Sequence, residues 1–264
     1  AVQAKQEFRN LDANFITRIA AEYLRLNPKA RDALARPKSK EYKAIIKHVR
    51  ARARNIYGIY QKDVMKRGDF LDQRAYLDLL KTHLSTRERL PFYDEIYARI
   101  AKKASMTKIM DLACGLNPMS TIFMPQMPHS YISVELSQKD VKFLKEAYQE
   151  LGLKGSVHAF DLAHEYERVK DLPRCDTAFL WKTLDALESQ NRNMSYAFLP
   201  LIPADTLVVS FTTVNVKQEP LEHPRRNWFE KLCRRIGYGF EQFTAGNELF
   251  YICKPVTSLG SNKS

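Results

Sequence analysis

The segment Asp111-Leu112-Ala113-Cys114-Gly115-Leu116-Asn117-Pro118 constrains this chain more than any other. It follows the β-leaning run Thr107-Lys108-Ile109-Met110 and ends in residues that favour a turn. A buried strand that ends on a carboxylate and a glycine, then turns, is how an open α/β sheet presents a small-molecule site at its carboxyl edge. Gly115 lets backbone approach a ligand where a Cβ would collide. Asp111 places a charge where a ligand amine or hydroxyl can be held. Only one glycine is present and G-x-G-x-x-G is not met, so these residues alone leave a ligand-free turn equally open.

From residue 105 onward the pattern alternates strand and helix. Strands are predicted at Thr107–Leu112, Tyr131–Glu135, Val157–Phe160, Thr177–Trp181 and Thr206–Phe211, with a closing hairpin of Phe240–Thr244 and Leu249–Cys253 around Gly246-Asn247. Helices are predicted at Lys139–Leu151, Ser189–Leu201 and Trp228–Ile236. Strands alternating with helices give an α/β fold with a largely parallel sheet. The tail after Pro255 reads as loose.

The front of the chain is different. Residues 1–82 hold 19 Lys/Arg against nine Asp/Glu, while the other 182 residues hold 23 against 21. Nearly all of the net charge of +12 therefore sits in one helical section. Phe8, Leu11, Phe15, Ile19, Tyr23 and Leu24 recur at helical spacing. A second helix is predicted from about Lys40, with Tyr42, Ile45, Ile46, Val49 and Ala53 as its apolar stripe. Lys43, Lys47, Arg50, Arg52 and Arg54 lie between those positions, and a third helix is predicted over Gln73–Thr82. A sign bias confined to one segment favours a polyanionic partner over a merely solvated face. A helical module of this kind suits recognition of folded RNA through phosphates and 2′-hydroxyls.

A second string, His83-Leu84-Ser85-Thr86-Arg87-Glu88-Arg89-Leu90-Pro91, precedes the strand-end turn. Together the two strings strongly resemble the aminoglycoside-resistance methyltransferases that modify N7 of a decoding-site guanine in 16S ribosomal RNA. That family carries His-x-Ser-Thr-Arg/Lys-Glu-Arg-Leu and then Asp-Leu/Ile-Ala-Cys-Gly-Leu-Asn-Pro at about this spacing. The resemblance runs on, more weakly, to about Lys254. It implies a Rossmann-like class I S-adenosylmethionine-dependent methyltransferase with a seven-stranded sheet and a helical N-terminal domain. The expected division is a docking domain over 1–82, a methyltransferase domain over 83–254 and a tail over 255–264. The implied cofactor is S-adenosylmethionine, and the implied partner is 16S ribosomal RNA within the 30S subunit. A cytoplasmic monomer without a membrane partner is expected, since no run approaches a membrane span. Cys114, Cys175, Cys233 and Cys253 are scattered without metal-ligand spacing, so no metal is expected and the thiols are read as reduced.

In that fold each strand end has a task. The backbone at Ala113 and Gly115 is expected to face the methionine part of the cofactor, with Asp111 on its ammonium. Glu135 is expected to accept the ribose hydroxyls, and Asp161 with Leu162 to receive the adenine. Arg89 supplies a bidentate cation suited to the cofactor carboxylate. The resemblance adds His83, Ser85 and Trp181 to the cofactor set. Trp181–Glu188 resembles the family's Phe-Lys-Leu-Leu-x-Leu-Leu-Glu, so Lys182 and Glu188 inherit its functional lysine and glutamate. Lys43, Lys47, Arg50, Arg54 and Arg87 are the expected RNA contacts. Gly246–Tyr251 resembles the family's Gly-Thr-Glu-Leu-x-Tyr close. One segment departs: Thr212–Lys217 lacks the proline, glycines and arginine that follow the family's fifth strand.

The implied reaction asks little of a general base, because guanine N7 has a free lone pair and no proton. Glu188 is the candidate for a negative field as the ring becomes cationic, and Trp181, Tyr93 or Trp228 for stacking on a swung-out base. Cys114 belongs to the cofactor turn, which argues against a covalent mechanism, and His83 is read as a structural hydrogen-bonding group. Two alternatives stay open: a methyltransferase of another base, favoured by the altered loop, and a non-catalytic ribosome-binding protein on the same scaffold.

Overall fold

Five apolar runs, each closed by polar or turn residues, become parallel strands: β1 (Lys108–Leu112), β2 (Ser130–Glu135), β3 (Gly155–Ala159), β4 (Cys175–Trp181) and β5 (Ala204–Thr212). β1, β2, β4 and β5 are buried along almost their whole length, which is why they read as continuous hydrophobic stretches. β6 (Tyr238–Ala245) and β7 (Glu248–Pro255) form the expected hairpin. The computed structural model describes residues 1–5, 8–9, 11–57, 66–215 and 217–256. Most of the expected tail, from 257 on, and Val216 of the altered loop lie outside the described residues.

The sheet order is β3-β2-β1-β4-β5-β7-β6, with β7 antiparallel between β5 and β6. From β1 the chain winds outward through β2 to β3, then returns to β4 on the other side of β1. That reversal leaves a crevice beyond the carboxyl ends of β1 and β4. The turn Ala113–Gly115 and the segment from Lys182 open directly onto it.

Helices α1 (Ala13–Leu26) and α2 (Lys40–Ile56) form a small lobe with its own core of Phe8, Leu11, Phe15, Ile19, Ile45, Val49 and Ala53. The first helix begins later than its stripe suggests. The Asp12 side chain accepts from Asn14 N and Phe15 N and fixes the start at Ala13, a cap worth about 1 kcal/mol. The helix expected over Gln73–Thr82 starts later, as α4 (Tyr76–Lys81), because Arg74 turns with φ 55° and separates it from the preceding α3 (Arg67–Asp72). Leu71, Leu79 and Leu80 pack into the core of the sheet with α6 (Tyr93–Ala101) and α7 (Gln138–Leu151), not into the small lobe. The short α5 (Leu84–Arg89) carries the His83 string, and α8 (Leu162–Glu165) follows β3.

On the other face lie α9 (Leu184–Gln190), α10 (Met194–Phe198) and α11 (Asn227–Arg235). The single helix expected over Ser189–Leu201 is therefore broken. Asn191 is extended and Asn193 left-handed at φ 65°, and α10 starts afresh from there. Among the described residues no helix is long and apolar enough to cross a membrane, and no group of His, Cys, Asp and Glu could hold a metal ion.

Candidate active site at the carboxyl edge of the sheet

A cleft of about 800 Å³ of unfilled space, open to solvent on one side, occupies the crevice. Its wall includes His83 and Ser85 of the first string, Ala113 and Gly115 of the turn, Glu135, Asp161, Leu162, Trp181 and Lys182. Nine of the twelve residues expected at the cofactor or the reaction centre are thus brought together on one surface. Val134, Leu136, Phe160, Ala186 and Leu187 supply apolar area between the polar groups.

The turn is tightly specified. Ala113 and Gly115 have φ of 59° and 54°, values that cost a residue with a Cβ of order 1 kcal/mol or more. A Cβ built on Gly115 would lie 2.8 Å from the His83 ring. Burial, then the charges of Arg67, Arg89 and Lys182, hold the His83 imidazole well below its usual pKa, so it is neutral. Gly115 N donates to Glu135 Oε2 at 2.9 Å, and Leu136 N donates to Oε1 at 2.8 Å. Burial and the neighbouring Asp140 push the Glu135 carboxyl up to about 7.

Asp111 sits beneath the turn, not on the cleft wall. It is 2% exposed and accepts from Asn117 Nδ2 at 2.8 Å and Tyr131 Oη at 2.7 Å, while burial pushes its carboxyl up to about 6. Tyr93, expected among the stacking aromatics, is also fully buried and donates to Asn117 Oδ1 at 3.0 Å. Cys114 is buried and burial raises its thiol well above the usual range, so it offers no thiolate nucleophile.

Arg89 is placed differently from expectation. It is 4% exposed and absent from the cleft wall, with Nε and Nη2 donating to Glu248 at 2.7 and 3.2 Å and its guanidinium over the Trp181 ring. Its charge is committed to Glu248, whose carboxylate also takes Ser210 Oγ at 2.6 Å and faces Lys182 Nζ at 3.3 Å. Burial pushes the Glu248 carboxyl up, but the charges of Arg89 and Lys182 outweigh it and keep it ionised below its usual pKa. Lys182 reaches Glu88 at 2.6 Å as well, and its left-handed backbone (φ 56°) is held by bonds from its N–H to Ser210 O and Oγ. Two cations and two carboxylates thus form a cluster behind the cleft wall, which it reaches through Lys182.

Glu188 also departs from its expected place at the reaction centre. It faces away from the cleft, and its two oxygens accept from Asn193 N and Ser195 N at 2.7 Å each. The carboxylate satisfies backbone donors at the start of α10, which is why the chain breaks and restarts there.

The small lobe closes the cleft from outside. Ile56 and Tyr57 at the end of α2 line it, and Arg18 of α1 donates to Asp161 Oδ2 at 2.5 Å. Asp161 Oδ1 accepts from Ala163 N and Oδ2 faces His164 Nδ1, so this carboxylate is largely engaged by the protein. Tyr57 donates to Asp140, which also pairs with the buried Arg67. Tyr57, Ile56, Arg18, Glu88 and Glu248 were not singled out from sequence. The available signal was that Glu88 lies inside the His83–Pro91 string and Glu248 inside the Gly246–Tyr251 segment that resembles the family's close.

The expected RNA contacts Lys43, Lys47, Arg50 and Arg54 share one face of α2 and line a shallow groove with Tyr42 and Ile46. Arg50 donates to Ala1 O at 2.8 Å and Arg54 lies over the Phe8 ring, whereas Lys43 and Lys47 are exposed with no acidic partner among the described residues. Arg87 lies apart, half-buried on α5.

Strand order, terminal hairpin and a strand-end cleft of this kind define a class I S-adenosylmethionine-dependent methyltransferase fold. Residues 16–252 match the ribosomal RNA methyltransferase (FmrO) family, and the chain belongs to it. The 16S rRNA (guanine(1405)-N(7))-methyltransferase of Micromonospora rosea is 29% identical over 185 residues, covering 69% of this chain and 65% of that protein. The protein of the same name from Serratia marcescens is 25% identical, covering 66% of this chain and 68% of its own. The chain spans just under two thirds of the length of the Micromonospora rosea relative. Among solved structures, 16S rRNA methyltransferase RmtF in complex with S-adenosyl-L-homocysteine superposes with a TM-score of 0.79 at 24% identity, covering 97% of this chain and 96% of that one. The 16S rRNA methylase RmtB gives 0.74 at 23%, covering 96% and 95%.

Proposed function

We propose that this protein is an S-adenosylmethionine-dependent methyltransferase that modifies N7 of guanine 1405 in the 16S ribosomal RNA of the 30S subunit and so confers aminoglycoside resistance. The observation that carries the reading is the cleft itself, in which Gly115, Glu135 and Trp181 meet at the strand ends. Its chemistry fits a nucleoside with a charged tail. Glu135 offers carboxylate oxygens for hydroxyls, and Leu136, Phe160 and Leu162 offer apolar surface for a purine. Gly115 leaves space that a Cβ would take from the His83 ring.

When bound, S-adenosylmethionine supplies a sulfonium methyl group for in-line transfer. The residues of the chain do the positioning. Glu135 and the backbone of Ala113 and Gly115 hold the donor, with Ser85 and Asp161 at its ends. Asp111 acts from beneath, fixing Asn117 and hence the turn. No proton has to leave guanine N7, so the neutral, buried His83 is a packing surface and not a base. Lys182 donates to Glu88 and lies 3.3 Å from Glu248, which leaves donor capacity for the incoming nucleotide. Their carboxylates offset its charge and that of Arg89, so a ring turning cationic meets a nearly neutral wall. The face of Lys43, Lys47, Arg50 and Arg54 docks on ribosomal RNA, with Arg87 nearer the reacting base. The chain works as a cytoplasmic monomer, with residues 1–82 serving docking and 83–254 serving chemistry.

A second reading, methylation of another decoding-site base, is favoured by one observation. The segment after β5 folds on itself, with Asn215 N donating to Glu219 O at 2.8 Å and Val214 bridged to Pro220, in place of the family's glycine-rich loop. Borohydride and aniline treatment of 30S subunits after incubation with the protein and cofactor separates the readings. Strand scission at guanine 1405 is expected. Methyl incorporation without scission there establishes the second reading, and lack of cofactor binding by calorimetry removes both.

A further inference from the structure

We propose that the groove between α10 and α11 is a second RNA-binding surface, which stacks an unpaired nucleotide neighbouring the one that enters the cleft. It rests on the reading of the substrate as RNA. On α11, Phe229, Glu230 and Cys233 are buried, which turns Trp228, Lys231, Leu232 and Arg235 onto the opposite side. Their spacing of i, i+3, i+4 and i+7 makes one continuous stripe. Asn193 and Tyr196 face it from the α10 turn, and together these side chains line a groove open to solvent.

Two aromatic rings stand exposed there, Trp228 at 38% and Tyr196 at 48%. The indole is not loose: its ring meets Phe211 and Phe229 edge-on, each with centroids 5.8 Å apart, so one side is fixed while another faces solvent. Arg235 lies over the Tyr196 ring at 4.9 Å. Neither Arg235 nor Lys231 has an acidic partner among the described residues. The one acid on the lining, Glu188, has both oxygens occupied by backbone N–H groups. A rigid π-surface flanked by unpaired cations is the chemistry that holds a nucleobase and its phosphate. Through the bonds it accepts from Asn193 N and Ser195 N, Glu188 serves this groove as a positioning residue that holds the Tyr196 turn in place.

Location ties the groove to the cleft. Ala186, Leu187 and Gln190 of α9 line the cleft and Glu188 of the same helix lines the groove, so α9 is the wall between them. Arg226 braces this wall by pairing with Asp185 at 3.1 Å and donating to Thr212 O at 3.2 Å. A strand whose target base enters the cleft has its flanking base across a single helix from Trp228.

The chain has two tryptophans, Trp181 buried at the cleft and Trp228 exposed in the groove, which gives a direct probe. Titration of the full chain with a short single-stranded oligouridylate should quench tryptophan emission, and Trp228→Phe should abolish the quench. Trp228→Ala should weaken binding to 30S subunits about tenfold, as loss of one base stack does, with S-adenosylmethionine affinity by calorimetry unchanged. Tyr196→Ala should weaken it less. Quenching that persists in Trp228→Phe, or full 30S affinity in both alanine variants, overturns the groove. So does a loss confined to whole subunits with oligonucleotide affinity unaltered, which assigns the surface to a ribosomal protein. A parent chain that binds neither cofactor nor subunit instead defeats the proposed function.

Discussion

Around the turn after β1, Asp111, Glu135, Arg89 and Glu248 are buried and each is held by named hydrogen bonds, whereas on the outer face of α2 Lys43 and Lys47 stand in solvent without acidic partners. Both regions are rich in charge, but the charge does opposite work. In the first it is taken out of water and met by hydrogen-bond donors at Asp111 and Glu135 and by an opposite charge at Arg89 and Glu248, so it fixes geometry and is expensive to disturb. In the second it stays hydrated, adds little to folding and is left available to phosphates. The same substitution type should therefore break folding in one place and partner binding in the other.

The largest effect is expected at Arg89. Arg89→Ala leaves Glu248 1% exposed with its bidentate partner gone, and removing one member of a buried pair costs about 3–5 kcal/mol. Urea denaturation should show a midpoint far below that of the parent. A variant that unfolds at the parental midpoint would falsify the view that this cluster is structural. The double replacement Arg89→Met with Glu248→Leu should recover much of the loss, because no unpaired charge remains.

The outer face of α2 should behave in the reverse manner. Lys43→Glu with Lys47→Glu is expected to weaken 30S binding by roughly ten- to hundredfold and to flatten its salt dependence, with stability altered by less than about 0.5 kcal/mol. Filter binding over a salt series reads both quantities. Undiminished subunit binding would remove this face from the docking surface, and a large stability loss would mean that the lysines are not simply solvated.

Between these extremes lies Glu135, which is buried yet opens on the cleft. With its carboxyl raised to about 7, it is largely protonated one pH unit below neutrality and ionised one unit above. A ribose hydroxyl donates better to the ionised form, so cofactor affinity should rise roughly tenfold from pH 6 to pH 8. Folding stability moves the other way: a raised carboxyl pKa adds stability at low pH that is lost as pH climbs through about 7. Calorimetry across this range with Glu135→Gln as control checks the sign, since the variant should bind weakly and without that slope.

These contrasts also explain what was legible in the sequence. The strands and the Gly115 turn could be read because local chemistry dictates them: continuous apolar runs for buried parallel strands, and a residue without a Cβ where the His83 ring comes close. The basic face of α2 was legible as charge spacing on a helix. The pairing of Arg89 was not legible because its partner Glu248 lies 159 residues away, and a buried pair leaves no periodic trace. The cap made by Glu188 was hidden for a similar reason, since a side chain that caps the next helix looks the same in sequence as one aimed at a substrate. The break between α9 and α10 follows from that cap, so helical periodicity alone ran through it.

The smallest predicted effect tests whether the two regions are mechanically separate. A boundary near residue 82 treats the helical lobe as a docking unit with no part in cofactor binding, but Arg18 of α1 donates to Asp161 on the cleft wall. The arginine is about one-third exposed and the aspartate nearly buried, so the pair falls between a surface bridge and a buried one. Exposed pairs contribute about 0.2–1 kcal/mol, and Arg18→Ala should accordingly weaken cofactor binding only about two- to fivefold. The effect must also be shared with its partner: a double-mutant cycle with Asp161→Asn should return a coupling energy of that same size. Separate machines would give a coupling of zero, and the lobe would then touch the cleft without influencing it. A measurable coupling means instead that whatever α1 and α2 grip can shift Arg18, and through Asp161 the affinity for the methyl donor, by no more than those few-fold.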